Sequence, residues 1–311
     1  MELNRGEEYH KDAIRLNTGH NAFEYILRAR KVKKVFLPYY TCDVMLQTVK
    51  RLALESEFYK IDENLEPLID YGKLKKNEYF LYTNYFGLKD RYIKKLVKTG
   101  LNLIIDNAQA FYSRPLKEVD TFYSPRKFFG VPDGAYLYTN ARLAGRLKQD
   151  NSAGRFGHLI GRIENGVEKS FGMFKDNEQS LNGQPLMLMS NITQRLLQNI
   201  DYKKVAQIRR ENYLYLHHYL NKTNRLKLSL DKEAVPMVYP YFTDTQGLRE
   251  KLIKNKIFVA RYWPNVLEWC ERKSLEYRFA NNLLALPVDQ RYKKANLREI
   301  SKLIGGYRHG I

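Results

Sequence analysis

Two residues of this 311-residue chain have the types and setting to act on one reaction. Asp106 closes the apolar run Leu103-Ile104-Ile105 and opens Asn107-Ala108-Gln109-Ala110. Lys127 follows 21 positions later, at the end of Ser124-Pro125-Arg126-Lys127. Open α/β sheets place ligands beyond the carboxyl ends of their strands, so an acid there sits where a cofactor would. A carboxylate and a lysine are the two side chains that pyridoxal phosphate chemistry requires. The acid keeps the pyridinium nitrogen protonated, so that the ring takes up electrons, and the amine forms the Schiff base. Asp106 and Lys127 are therefore the candidate catalytic residues.

Other residues offer support around that pair. Thr18-Gly19-His20-Asn21 precedes the first helical stretch. Free amides and the positive end of a helix dipole bind phosphate, and glycine admits a close approach. The same residues also read as an ordinary N-cap turn. Gln109 is placed to reach a ring hydroxyl or to steady a turn. Asp106 also reads as a cap or a structural ion pair, because a buried carboxylate needs a partner in any case. Lys127 lies among Tyr123, Pro125, Phe128 and Phe129, which would desolvate its amine and lower its pKa. No G-x-G-x-x-G motif follows a strand; Gly154, Gly157 and Gly161 have the wrong spacing. The histidines form no metal-ligand pattern, so no metal is expected. Cys42 reads as a small buried hydrophobe.

The elements that must hold these groups alternate through the first half. Helices are expected at 21–29, 41–52 and 88–97, and strands at 35–37, 57–61, 79–83, 103–105, 121–123 and 135–138. Short strands joined by helices imply an α/β fold with a mostly parallel central sheet and helices on both faces. From Ser190 the apolar residues Ile192, Leu196, Ile200, Val205, Ile208, Tyr213 and Leu216 recur at helical spacing, as one long helix or two in sequence. A smaller C-terminal α/β unit follows, with strands near 237–241, 257–260 and 283–286 and helices at 246–254 and 294–303. The expected division is a large domain over 1–200 and a small domain over 201–311 that includes the long connecting helix.

Composition narrows the class. Hydrophobic residues make up 44%, and there is no apolar run of about eighteen residues and no signal-like start, so a cytoplasmic chain without a membrane span is expected. Two cysteines, Cys42 and Cys270, do not make a disulfide framework. Lys and Arg number 53 against 34 Asp and Glu, a net charge of +19, which suits an anionic small molecule, a membrane surface or nucleic acid. The basic residues are spread along the chain without a basic arm, which argues against nucleic acid.

Taken together, these pieces resemble the DegT/DnrJ/EryC1/StrS family of sugar aminotransferases, which have the aspartate-aminotransferase fold (fold type I). Thr18-Gly19-His20-Asn21-Ala22 is similar to the family's phosphate turn, and Pro38-Tyr39-Tyr40-Thr41 to its Pro-x-Tyr-Thr strand end. Asn84-Tyr85-Phe86-Gly87 resembles its aromatic-Gly loop. Asp106-Asn107-Ala108-Gln109-Ala110 resembles Asp-Ala-Ala-Gln-Ala, and Pro125-Arg126-Lys127 resembles Pro-x-Lys. The resemblance implies pyridoxal 5'-phosphate as cofactor. Asp106 would meet its ring nitrogen, Gln109 its hydroxyl, and Lys127 would be Schiff base and proton shuttle. Gly19, His20 and Asn21 would bind the phosphate. It further implies an amino donor such as glutamate, a nucleotide-linked keto-sugar acceptor in surface polysaccharide synthesis, and a homodimer. The chain departs from the family at three places. Cys42 stands where an aromatic stacks on the ring, leaving Tyr40 to substitute. Phe122 replaces the phosphate-binding serine, with Ser124 as the compensating candidate. Pro185-Leu186-Met187-Leu188 replaces an Asn-x-Arg loop. These departures motivate an alternative, a non-catalytic or altered descendant that binds a ligand or partner.

Overall fold

The computed structural model describes residues 6–75 and 77–305. The first part runs β1 (Ile14–Leu16), α1 (Gly19–Ala29), β2 (Lys34–Pro38), α2 (Asp43–Arg51), β3 (Glu55–Ile61), β4 (Pro67–Leu68) and β5 (Glu78–Thr83). It continues through α3 (Asp90–Leu96), β6 (Asn102–Asn107), β7 (Asp120–Tyr123) and β8 (Ala135–Tyr138). These strands form one sheet in the order β1-β8-β7-β6-β5-β2-β3-β4. The neighbours from β3 to β7 pair in parallel, and β1, β8 and β4 run antiparallel to their neighbours at the two ends.

The apolar pattern explains the layering. Side chains of a strand alternate between faces. Ile104 and Phe122 therefore join Phe23, Ile26, Leu27, Met45 and Val49 of α1 and α2 in the core on one face. Ile105, Tyr123, Phe80 and Tyr82 point to the other face, into a larger core that includes Tyr213 and Leu216. By parity Asp106 shares the face of Ile104, the side covered by α1 and α2.

The remaining elements are α4 (Gly157–Glu164), α5 (Phe171–Leu181), α6 (Asn191–Leu197), α7 (Tyr202–Leu220), β9 (Val238–Phe242), α8 (Leu248–Lys254), α9 (Val266–Trp269), α10 (Leu275–Asn282), β10 (Leu283–Pro287) and α11 (Lys294–Ile304). The apolar stretch after Ser190 is two helices. Its break falls at Asp201, whose carboxylate caps α7 by accepting from Lys204 N at 3.0 Å. β9 and β10 pair antiparallel. The strand expected at 257–260 is absent, with Ala260 making a single bridge to Ala285. The cause is the end of α8: Lys256 has φ 61° and Ile257 N donates back to Leu252 O, which keeps this chain in a helix-closing turn. Helices α4, α5, α9 and α10 and the edge strands β1 and β4 have no counterpart in the sequence reading.

Candidate active site

Strand directions alone bring the candidate residues to one edge. β1 is antiparallel to β8, and β8 is antiparallel to β7, so β1 runs the same way as β7 and β6. The carboxyl ends of β1, β2, β5, β6 and β7 therefore share an edge of the sheet. The N-terminus of α1, the Tyr40-Thr41 turn, Asp106 and the Ser124–Lys127 turn all follow those ends.

Asp106 is 7% exposed and pairs in register with Thr83 on one side and Phe122 on the other. Its Oδ1 accepts from Ala108 N at 2.8 Å, and no cation bonds to it among the described residues. Burial raises its pKa, opposed by the charge of Lys127 and by the Ala108 amide. Lys127 ends a short 3₁₀ turn over Pro125–Lys127 and is exposed. The expected apolar sheath around its amine is not found, because Phe128 and Phe129 turn into the core. Its charge reaches Cys42 as well as Asp106, while burial pushes the Cys42 thiol up to about 11. Lys127 thus lies within electrostatic range of both Asp106 and Cys42.

Of the two roles left open by its sequence, Gln109 fills that of steadying a turn. Its Oε1 accepts from Phe86 N at 2.9 Å, while its buried Nε2 has no partner among the described residues. The loop it holds is tight: Phe86 has φ 60° and Gly87 φ 74°, and a Cβ on Gly87 would stand 3.0 Å from Val235 O and 3.1 Å from Gln109 O. Only glycine fits that approach.

At the start of α1, Thr18 Oγ1 caps Asn21 N at 3.2 Å. The Asn21 side chain donates to Asn17 Oδ1 and to the carbonyls of Gln184 and Pro185. Asn21 is thereby committed to holding the loop before α6, and the Gly19 and His20 amides remain among those that helix geometry leaves without intrahelical partners. No Cβ contact crowds Gly19. Burial lowers the His20 pKa to about 4, helped by the charges of Arg51 and Arg126, and its Nε2 is unpartnered. Arg126, which the sequence reading singled out only as a neighbour, donates to Glu178 of α5, and burial lowers its pKa to about 10. Its position beside the lysine was the available signal.

The two compensating candidates differ in placement. Ser124 is 6% exposed and its side chain makes no capping bond, so it sits at the edge uncommitted. Tyr40 is fully buried, stacked on Tyr85 at 5.7 Å and edge-on to Trp263 at 4.9 Å, with an unpartnered hydroxyl. Phe122, where a serine would meet phosphate, is core, its ring 6.0 Å from that of Phe23.

The residues fit a pyridoxal phosphate: a buried amide donor awaits an acceptor, a buried carboxylate awaits a cation, and helix amides stand at the same edge. Comparison with solved structures shows where the fold recurs. The chain matches S. venezuelae DesV, solved with a ketimine intermediate, at 15% identity and TM-score 0.66 over 96% of this chain and 85% of that one. It matches a DegT DnrJ EryC1 StrS aminotransferase from Brucella abortus at 16% and 0.63 over 96% and 86%. Spr1654 from Streptococcus pneumoniae, solved in PLP and PMP forms, matches at 14% and 0.66 (PLP form) over 94% and 86%. The architecture is that of fold type I pyridoxal phosphate-dependent transferases. Within that class, it is built like the DegT/DnrJ/EryC1/StrS sugar aminotransferases. No family model and no curated protein matches the sequence.

Proposed function

We propose that this chain is a pyridoxal phosphate-dependent aminotransferase acting on a sugar carbonyl. The observation that carries the reading is that Lys127 and Asp106 follow strand ends at one sheet edge, within electrostatic range of each other. When bound, the pyridoxal group supplies an electron sink through which an amino group passes between two carbonyl carbons. Asp106 keeps the ring nitrogen protonated, and the cation there returns the buried carboxylate to its charged form. Gln109 Nε2 would hold the ring hydroxyl by donating to it. Gly19 and His20 offer amides to the phosphate, with Ser124 as a further donor. The Lys127 amine holds the cofactor and then carries the proton between cofactor and substrate carbon.

Glutamate as donor, a nucleotide-linked keto-sugar as acceptor, a cytoplasmic homodimer and a role in surface polysaccharide synthesis complete the reading. The net charge of +19 supports an anionic acceptor. Phe122 in the core and Cys42 in place of a stacking ring favour a second reading, an altered descendant that binds without transaminating. One experiment separates them. Under the first reading, purified protein takes up pyridoxal phosphate, borohydride fixes it to Lys127, and glutamate discharges the chromophore. Lys127→Ala loses the covalent adduct and all turnover. Wild-type protein that stays colourless with added cofactor overturns the first reading.

A further inference from the structure

Among the described residues Arg209 of α7 is the largest fully buried side chain, 2% exposed; the charge of Asp289 reaches it, yet no carboxylate hydrogen-bonds to it. A buried cation that no carboxylate contacts directly is costly, so its hydrogen-bond partners have to justify its place. They are carbonyls. Arg209 donates to Met237 O at 3.0 Å, to Pro236 O at 3.4 Å and to Phe128 O at 3.4 Å, and its guanidinium lies 4.5 Å from the centre of the Phe128 ring. Phe128 is the residue after Lys127. A second donor reaches the same carbonyl: Gln290 Nε2, at 3.1 Å. The segment carrying Gln290 is held in turn by α7, because Asn212, one turn after Arg209, donates to the carbonyls of Val288, Asp289 and Tyr292.

The same arginine also reaches Gln109. Met237, whose carbonyl Arg209 holds, donates through its own N–H to Phe86 O at 2.9 Å, and Phe86 N donates to Gln109 Oε1 at 2.9 Å. One hydrogen-bonded path from Arg209 ends at the backbone of the residue after Lys127 and the other at the Gln109 side chain.

We propose that Arg209, with Gln290, is a positioning residue for Lys127 and Gln109, registering the cofactor-facing edge of the sheet against α7 and the residues after β10. The inference rests on the reading of the site given above. Neither side chain touches the cofactor. Their effect passes through the backbone at 128 and 86.

A double-mutant cycle tests it, read by cofactor affinity and by the pH titration of the Lys127-bound chromophore. Pyridoxal phosphate is titrated into wild type, Arg209→Lys, Lys127→Ala and the double variant, with Gln290→Met carried in parallel in case Arg209→Lys folds poorly. Arg209→Lys is expected to weaken binding by about tenfold when Lys127 is present and to shift the titration midpoint, but to weaken it by only about threefold in the Lys127→Ala background, where the path to Gln109 alone remains, since coupled residues are non-additive. Gln290→Met is expected to move both readouts the same way by less. Equal weakening in both backgrounds with an unmoved titration overturns the proposal and leaves the aminotransferase reading intact. Wild-type protein that takes up no cofactor overturns both.

Discussion

Asp106 shows what the site demands of the fold. Burial raises its pKa above 3.8, so the native state binds the proton more tightly than the unfolded chain does. Stability is then full below pH 3.8 and declines as pH rises through the folded pKa, because the charged form is the one burial disfavours. Asp106→Asn removes that decline while leaving an oxygen to accept from the Ala108 amide. The variant, free of cofactor, is expected to melt higher than wild type at neutral pH and level with it below pH 3.8, as measured by thermal unfolding across pH. With cofactor the order reverses, since asparagine cannot hold the ring nitrogen protonated, and the stabilisation that saturating cofactor gives by mass action is reduced. A wild-type protein more stable than Asp106→Asn at neutral pH without cofactor would show that the carboxylate has a cationic partner in the fold itself. Lys127 stands in contrast: it is exposed, so Lys127→Ala is expected to leave the melting temperature nearly unchanged while removing activity.

Elements were legible where pattern and burial agree. Strands β2, β5, β6, β7 and β8 are buried through most of their length, and their apolar runs bounded by Pro, Gly or polar residues mark them directly. Helices α4 and α5 escaped because most of their apolar residues face solvent, which blurs the helical period. The C-terminal stretch at 257–260 misled because β-branched residues there serve a helix-closing turn and not a ladder. Of the site, Asp106, Gln109 and Lys127 were readable as local motifs. Arg209 was not, because its partners Phe128, Pro236 and Met237 lie far off in sequence and are backbone carbonyls. The same holds for Asp133, which is fully buried and accepts from Ser190 N at 2.8 Å, from Ser190 Oγ at 2.6 Å and from Thr193 Oγ1. It ties the turn after Lys127 to the start of α6. Asp133→Ala strands three donors in the interior and is expected to cost about 3 kcal/mol or more. Urea denaturation measures it, and a loss below about 1 kcal/mol would show that water replaces the carboxylate.

At the scale of the whole molecule, the α4–α5 hairpin leaves an apolar surface that this chain does not cover. Ile163 is 84% exposed, and Ile160, Phe171, Met173 and Phe174 are each 42–56% exposed. Exposed apolar side chains gathered on two adjacent helices mark a place of association. The hairpin leads directly into the 184–188 loop, which Asn17 and Asn21 hold against the start of α1. A second copy docked on the hairpin would therefore sit next to the proposed phosphate site, which gives the proposed homodimer a reason beyond area. Wild-type protein is expected to sediment at twice 36.8 kDa, with a melting temperature that rises with concentration. Ile163→Glu combined with Phe174→Glu should give the 36.8 kDa species and weaken cofactor binding, because charges placed in an apolar interface are left unpaired. Single-species sedimentation at 36.8 kDa for wild type at micromolar concentration would remove the hairpin as a dimer surface and require the phosphate site to be complete within one chain.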